Sequence, residues 1–225
     1  MAMPENAQRG FRKIPGKGFL IPGTLILVVA VICSFIFSRE DTHIFINRFH
    51  SPFMDALMKG WTLLGDGTFI LIVIGLFLFV KLRLFFILFA GYAVSGIASQ
   101  LLKRTIFNGM PRPGKYFEIH NIDHDLYLVP GVDIHSWHAF PSGHTVTAFA
   151  VFFGISLFLR SEILQFACLV LAAGVGYSRV YLSQHFLMDV TGGAILGMVM
   201  AYLCFRWITI YKNEWMDKPV TRLCK

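Results

Sequence analysis

Two histidines and one carboxylate have the residue types and spacing that phosphoryl transfer requires. His185 and Asp189 lie four residues apart, so on a helix they share one face. The carboxylate can keep one imidazole nitrogen protonated and leave the other free as a nucleophile. His144, in the stretch "AFPSGHT" at 139–145, is a second histidine that can protonate a leaving alkoxide.

Three cations accompany these histidines without an equal number of nearby carboxylates, namely Lys103, Arg112 and Arg179. An arginine offers a rigid fork of donors that matches phosphate oxygens. Ser142 and Gly143 open an apolar run, where the free amides of a helix start attract anions and glycine allows close approach. These groups predict phosphoryl transfer through a phosphohistidine, accelerated by positioning and charge neutralisation.

The composition indicates that membrane-spanning helices position these groups. Of the 225 residues, 56% are hydrophobic, 15% are charged and 23 are Phe, whereas soluble domains are about 45–50% apolar and about 25% charged. The net charge of +7 includes no block of like charges, so it indicates membrane topology and no nucleic-acid binding. None of the four cysteines is in a CxxC pair, so we expect neither a disulfide framework nor a zinc site; they are Cys33, Cys168, Cys204 and Cys224.

Six apolar windows approach the length of about 20 residues that a helix needs to cross a bilayer. They are Gly18–Ser38, Trp61–Val80, Leu84–Leu102, Pro141–Leu159, Ile163–Leu182 and Val190–Ile210. The period-2 alternation of barrel strands is absent, so we expect an all-α polytopic membrane protein with a six-transmembrane helix bundle over 18–211. Four spans is the alternative if two of the weaker windows are re-entrant.

Loop lengths and basic residues predict the orientation of this bundle. Tight turns at 81–83 and 160–162 alternate with long loops at 39–60 and 103–140. The side with both tight turns and both termini holds 12 of the 20 Lys and Arg residues, which predicts a cytoplasmic N-terminal segment (1–17) and C-terminal tail (212–225). The first apolar run is too long for a signal-peptide core, so we expect a retained span in the plasma (inner) membrane.

Nine polar residues in or beside these windows fall together at the predicted outer surface. The intruding residues are Asp66, Lys103, Arg104, Ser142, His144, Ser178, Arg179, His185 and Asp189. Ionisable residues at membrane depth are costly, so a cluster at one level predicts a site at the outer membrane–water interface.

The residues "PSGH" (141–144) and "SRVYLSQHFLMD" (178–189) resemble the signature of the type-2 phosphatidic acid phosphatase/haloperoxidase superfamily. The remaining part of that signature is a Lys followed, after six residues, by Arg-Pro. Here eight residues separate Lys103 from Arg112, which leaves open whether Lys103 or Arg104 faces the phosphate, with Lys103 favoured.

The resemblance implies a six-span membrane phosphatase that needs no metal and no cofactor. His185 would be the nucleophile, Asp189 its orienting partner and His144 the general acid. The phosphate-binding residues would be Lys103, Arg112, Ser142, Gly143 and Arg179.

Several of these residues also have a structural interpretation. Arg179 can snorkel to the interface, His185 can be an interfacial polar residue, and Asp189, Ser142 and Asp66 can cap helices. His120, His124, His135 and His138 could bind zinc only in a helix, which Pro and Gly in that stretch disfavour, so an exposed loop at the substrate entrance is expected. Gly192, Gly193 and Gly197 predict close helix packing and no dimer contact.

The favoured function is a lipid phosphatase that hydrolyses undecaprenyl diphosphate, because cells that make peptidoglycan recycle that carrier. The alternatives are a lipid A 1- or 4′-phosphatase, a phosphatidylglycerol-phosphate or phosphatidic acid phosphatase, and a lipid phosphotransferase that uses the same site. A vanadate-dependent haloperoxidase is disfavoured by the spans, and a non-enzymatic transporter or scaffold by the paired histidines. No protein partner is predicted.

Overall fold

Helices joined by loops and 3₁₀ turns form the fold in a computed structural model, which describes residues 14–122 and 126–222. The helices are α1 (Lys17–Ile36), α2 (Arg39–Asn47), α3 (Pro52–Thr62), α4 (Gly67–Leu76), α5 (Leu82–Arg104), α6 (Pro113–Ile119), α7 (Gly143–Ser156), α8 (Glu162–Tyr181) and α9 (Leu187–Ile210). The 3₁₀ turns are Leu63–Gly65, Phe77–Phe79, Glu214–Asp217 and Val220–Arg222. Among these described residues no strand occurs, in agreement with the all-α prediction.

Within 14–122 and 126–222, four helices, α1, α5, α8 and α9, are long and apolar enough to cross a membrane. Apolar side chains cover the exposed side of α1, including Leu25, Val29 and Phe35, as a lipid-facing helix requires. A fifth candidate consists of Pro52–Gly65 and Gly67–Phe79, two segments bent by 57°. The six-span count remains a prediction.

The structure corrects the window Trp61–Val80, which is not one helix. The chain breaks at Asp66, whose backbone is extended and whose Oδ1 accepts hydrogen bonds from the amides of Thr68 (2.8 Å) and Phe69 (3.3 Å). A carboxylate that accepts these two amides starts a new helix, α4, in a new direction. The alternative interpretation of Asp66 as a helix cap is therefore confirmed.

The window Pro141–Leu159 is also longer than its helix. Helix α7 has 14 residues, or about 21 Å at 1.5 Å per residue, against a bilayer core of about 30 Å. It packs against α5, α8 and α9 at the centre of the fold. Its buried Phe149 and Phe153 join Phe19 of α1 in the main apolar core. Neighbouring helices therefore surround α7, which explains why ten of its 14 residues are buried.

Glycines of α9 allow this close packing of α7. A Cβ on Gly193 would lie 2.8 Å from the carbonyl oxygen of Ser142, and one on Gly197 would lie 2.5 Å from that of Val146. A Cβ on Gly192 would lie 2.4 Å from the ring of Phe140. The backbone atoms beside Gly193 and Gly197 leave no room for a side chain, so the prediction of close helix packing is confirmed for these two glycines, whereas Gly192 packs against a side chain that precedes α7.

Ion pairs close the end of the bundle that holds the described chain ends. Lys17 pairs with Glu162 at 2.9 Å, which joins the starts of α1 and α8. Arg83, buried at the start of α5, donates to both carboxylate oxygens of Asp217 at 2.9 and 2.8 Å. These contacts bring the turns at 81–83 and 160–162 to the same end as residues 17 and 217.

The loop that follows α6 is held against the opposite end of the bundle. Asn47 Nδ2 donates to the carbonyl oxygen of Tyr127, and Asn47 Oδ1 accepts from the amide of Tyr127, both at 2.8 Å. The hydroxyls of Tyr127 and Tyr181 both donate to Asp55 at 2.6 Å. This loop is therefore anchored on α2, α3 and α8 and covers the surface where the predicted site residues lie.

Candidate active site

The helix ends at that surface bring together the residues that the sequence singled out. The ends concerned are the last turn of α5, the first turn of α7, the last turn of α8 and the first turn of α9. Buried there are Lys103, Ser142, Arg179, His185 and Asp189, whereas Gly143, His144 and Arg112, which precedes α6, are partly buried. All eight therefore occupy one end of the bundle.

A tight connection between α8 and α9 places His185 beside Asp189. The backbone amide of His185 donates to the carbonyl of Arg179 at 3.1 Å, and Ser183 in this turn has a positive φ of 53°. Asp189 Oδ2 accepts from the amide of Phe186 at 2.9 Å and lies 3.4 Å from His185 Nδ1. At 3.4 Å the imidazole and carboxylate are in contact but farther apart than in a strong hydrogen bond, and Nδ1 has no closer partner.

The start of α7 lies directly against this pair. The amide of Ser142 donates to the carbonyl oxygen of Asp189 at 3.0 Å, and the first intrahelical bond of α7 runs from Val146 to Ser142. Ser142 occupies the N-cap position without a side-chain bond to the helix amides, and its hydroxyl accepts from Thr145 at 2.9 Å. The amides of residues 143–145 thus precede the hydrogen-bonded helix, as in an anion-binding helix start.

Neutral groups hold the two arginines of the site. Arg112 donates to the carbonyl of Trp137 at 3.1 Å and to Gln184 Oε1 at 3.0 Å. Arg179 donates to Thr62 Oγ1 at 2.9 Å and to Gln184 Oε1 at 3.3 Å. Over residues 14–122 and 126–222, neither arginine is in an ion pair. Their positive charge is thus available to a bound anion.

Lys103 and Arg104 lie in different surroundings although they are neighbours. Lys103 is 8% exposed, and its Nζ would lie 3.9 Å from a Cβ placed on Gly143. Arg104 is exposed and lines a lateral cavity of about 610 Å³ between α4, α5 and α7. His144 also lines this cavity, with Tyr92 and mainly apolar residues around it. Lys103 therefore points to the helix start, and Arg104 to the cavity.

Burial and nearby cations determine the protonation state of His185. Burial lowers the pKa of His185 well below its ordinary value of 6.5, and the positive charges of Arg112, Arg179 and Lys103 lower it further. Burial also lowers the pKa of the Arg112 guanidinium, which nevertheless stays charged at neutral pH. The site therefore combines a neutral imidazole with permanent positive charge.

The structure also shows residues that the sequence had not singled out. Gln184 and Thr62 contact the arginines through their side chains, and Trp137 does so through its carbonyl. Gln184 lies inside the motif 178–189, directly before His185, and this position could have identified it from sequence. Thr62 and Trp137 lie far away in sequence and carried no such signal.

The loop histidines do not form a metal cluster in the described part of the chain. No group of three His, Cys, Asp or Glu residues there is arranged to hold a metal ion. His120 follows the end of α6, is exposed and stacks on Tyr116. His124 and Cys224 lie outside the described residues, as do 1–13 of the predicted N-terminal segment.

Comparisons with known proteins bear on this arrangement. Lipid phosphate phosphatase 2 of Arabidopsis thaliana is 30% identical over 135 residues, covering 50% of this chain and 46% of the plant protein. The chain thus spans about half the length of that relative. Undecaprenyl-diphosphatase BcrC of Bacillus subtilis is 26% identical over 162 residues, covering 70% of this chain and 77% of that protein.

A solved structure shares the fold of the chain. The crystal structure of a transmembrane PAP2-type phosphatidylglycerolphosphate phosphatase from Bacillus subtilis matches it with a TM-score of 0.62 at 24% identity, over 86% of this chain and 97% of that one. The model of the PAP2 superfamily matches residues 84–212, which include the last turn of α5, the whole of α7 to α9 and their polar ends. The chain therefore belongs to the PAP2 superfamily.

Proposed function

We propose that the protein is an integral-membrane phosphatase that hydrolyses a phosphate ester or diphosphate of a lipid through a phosphohistidine. The observation that carries the proposal is the buried imidazole of His185, which contacts Asp189 at 3.4 Å and whose pKa is lowered by burial and by the charges of Arg112, Arg179 and Lys103. A neutral imidazole is nucleophilic, and cations without carboxylate partners attract a phosphate.

In the first step, His185 Nε2 attacks phosphorus in line with the leaving group. The N–P bond forms as the bond between phosphorus and the leaving oxygen breaks. His144, whose imidazolium form is stabilised by the negative charge of the bound phosphate, gives its proton to that oxygen. Asp189 stabilises the positive charge that develops on His185. Lys103, Arg112, Arg179 and the amides at Gly143 hold the other phosphoryl oxygens.

In the second step, water attacks the phosphohistidine. The neutral His144 takes a proton from the water, the N–P bond breaks and inorganic phosphate leaves with the new oxygen. Both histidines then return to their initial protonation states. The side-chain cations neutralise charge throughout, so the scheme uses no metal and no cofactor.

Ser142 has an indirect part in this scheme. Its hydroxyl accepts from Thr145 and its amide donates to Asp189. It therefore fixes the start of α7 relative to α9 and places the amides of residues 143–145 toward the phosphate.

For the substrate we favour undecaprenyl diphosphate. Helices that are long and apolar enough to cross a membrane adjoin the site, and the cavity beside His144 has a mainly apolar lining that suits the leaving lipid. The similarity to an undecaprenyl-diphosphatase supports this choice. The similarity to a plant lipid phosphate phosphatase supports monophosphates, such as phosphatidylglycerol phosphate, phosphatidic acid or the lipid A 1- and 4′-phosphates, as the second candidate.

The test is phosphate release by the detergent-purified protein from a panel of these four lipids. We expect release to continue in EDTA, to be inhibited by vanadate, whose trigonal-bipyramidal form mimics the transition state, and to be lost in His185→Ala. Activity of a folded His185→Ala variant would exclude the phosphohistidine. Transfer of phosphate to an added lipid or sugar acceptor in preference to water would instead identify a phosphotransferase.

A further inference from the structure

Gln184 is a polar residue in the interior of the proposed site. It lies in the connection between α8 and α9, directly before His185, and only 2% of its surface is exposed. A buried amide is stable only when its donor and acceptor are both hydrogen-bonded. Its partners therefore show what this residue does.

The side chain of Gln184 connects three separate parts of the chain. Its Oε1 accepts from Arg112 at 3.0 Å and from Arg179 at 3.3 Å. Its Nε2 donates to the carbonyl oxygen of Asp133 at 2.7 Å, in the loop between α6 and α7. One amide thus fixes both guanidinium groups relative to each other and to this loop.

A neutral acceptor suits this position better than a carboxylate. The guanidinium groups of buried Arg179 and partly buried Arg112 repel each other, and their N–H groups need acceptors in the absence of substrate. A carboxylate would satisfy them but would also neutralise them and compete with phosphate. The amide carbonyl satisfies the donors and leaves the full positive charge of Arg112 and Arg179 in place.

We propose that Gln184 is a positioning residue that holds Arg112 and Arg179 in the geometry that binds the transferred phosphoryl group while preserving their charge. The inference rests on the phosphatase function proposed above. It assigns to Gln184 a role in binding phosphate in addition to its contribution to the fold.

The decisive experiment measures the inhibition constant of vanadate for Gln184→Glu. This substitution keeps the size of the side chain and its acceptor but adds a negative charge between the arginines. We expect the inhibition constant to rise at least about tenfold, because each guanidinium then has a charged partner in the free enzyme. A competitive inhibition constant does not depend on the fraction of active protein, so a loss of folding alone leaves it unchanged.

A second variant, Gln184→Met, tests the same proposal if Gln184→Glu does not fold. Methionine has a similar volume and no charge, so the arginines lose their acceptor but keep their charge. We expect the inhibition constant of vanadate to rise about threefold to tenfold, less than in Gln184→Glu. Inhibition constants within twofold of the wild type in the folded variants would overturn the proposal.

Gln165 provides a matched control at the opposite end of the bundle. It is also buried, its Oε1 accepts from the amide of Gly18 at 2.7 Å and its Nε2 donates to the carbonyl of Leu159 at 2.8 Å. We expect Gln165→Glu to lower the melting temperature without changing the inhibition constant of vanadate. An equal change of that constant in both glutamate variants would show that Gln184 has only a structural role.

The same assay separates this proposal from the proposed function. If the wild type releases no phosphate from any lipid of the panel and vanadate does not inhibit it, the phosphatase function fails. If vanadate inhibits the wild type and both Gln184 variants equally, only the positioning role fails.

Discussion

Neighbouring residues Lys103 and Arg104 carry the same charge but have different predicted effects on catalysis. Lys103 is buried and points to Gly143, whereas Arg104 is exposed at the lateral cavity. We expect Lys103→Met to lower kcat/KM for lipid phosphate about 10²-fold, because a buried cation that contacts the developing charge is lost. We expect Arg104→Gln to change it by less than about threefold, because solvent screens an exposed charge.

Phosphate release from the preferred lipid of the panel measures both effects, and melting temperatures show whether each variant is folded. A large loss of activity in Arg104→Gln with little loss in Lys103→Met would reverse the assignment. It would mean that the two additional residues before Arg112 shift the phosphate contact from Lys103 to its neighbour.

His43 predicts a pH dependence of stability that is separate from catalysis. It is buried in α2, its Nε2 lies 3.1 Å from Ser183 Oγ, and burial lowers its pKa to about 4. The unfolded chain binds a proton near pH 6.5 and the folded chain does not. The contribution of His43 to the free energy of unfolding is therefore present above pH 6.5 and is lost as the pH falls toward 4. The loss between pH 7 and pH 5 is about 2 kcal/mol.

Melting temperatures of the wild type and of His43→Gln at pH 7 and pH 5 test this prediction. The variant should be less stable at pH 7 and should lose less stability on acidification than the wild type. An equal loss in both proteins would mean that the decline comes from other groups, among which His185 has a pKa shifted in the same direction.

The residues of the site could be predicted from sequence only where they belong to the motifs. His144, His185 and Asp189 have side chains of specific chemistry at fixed spacing, and the structure places them at one end of the bundle. Gln184 was missed because its partners, Arg112 and the carbonyl of Asp133, come from a loop whose path no sequence period describes. His43 was missed because its helix is short and lies outside the apolar windows.

At the scale of elements, the site depends on how closely α7 approaches α9. A Cβ on Gly197 would lie 2.5 Å from the carbonyl oxygen of Val146 and 3.0 Å from the amide of Ala150. Both are backbone atoms that cannot rotate away. We expect Gly197→Ala to separate the helices and to destabilise the protein by about 1–3 kcal/mol. Phosphate release should also fall, because His144 lies in α7 and His185 lies at the start of α9.

Gly96 in α5 offers the same substitution in open space, since a Cβ there has no atom within 4 Å. We expect Gly96→Ala to raise stability by about 0.5–1 kcal/mol, because alanine has less conformational freedom to lose in a helix. The melting temperatures of the two variants should move in opposite directions. A Gly197→Ala protein as stable and active as the wild type would show that α7 and α9 can slide without effect.

Helices at this scale could be predicted where apolar runs are uninterrupted. The windows Leu84–Leu102, Ile163–Leu182 and Val190–Ile210 differ from α5, α8 and α9 by at most three residues at either end. The window Trp61–Val80 was wrong as a single helix because hydropathy averages over Asp66, whose capping bonds redirect the chain. Mean hydropathy does not show that one carboxylate, by capping a new helix, can interrupt an apolar segment.

At the scale of the whole molecule, the two ends of the bundle differ in charge and in content. One end holds the site and the loop between α6 and α7. The other holds the pairs Lys17–Glu162 and Arg83–Asp217. Hydrogen bonds from Arg83 and Lys81 hold the pKa of the Asp217 carboxyl well below its ordinary value, so this contact remains ion-paired at neutral pH. The bundle thus presents a closed end with ion pairs and an opposite end with the proposed phosphate site.

The excess of Lys and Arg predicts that the closed end faces the cytoplasm and the site faces the exterior. Exposed positions Glu118, beside the site, and Glu214, at the closed end, allow a direct test with a membrane-impermeant maleimide. In a Cys224→Ser background, we expect Glu118→Cys to be labelled in intact cells and Glu214→Cys only after lysis. The reverse pattern would place the site in the cytoplasm and restrict its substrates to lipids whose phosphate lies in the inner leaflet. Labelling of both positions in intact cells would mean that the bundle does not span the membrane with its two ends on opposite sides.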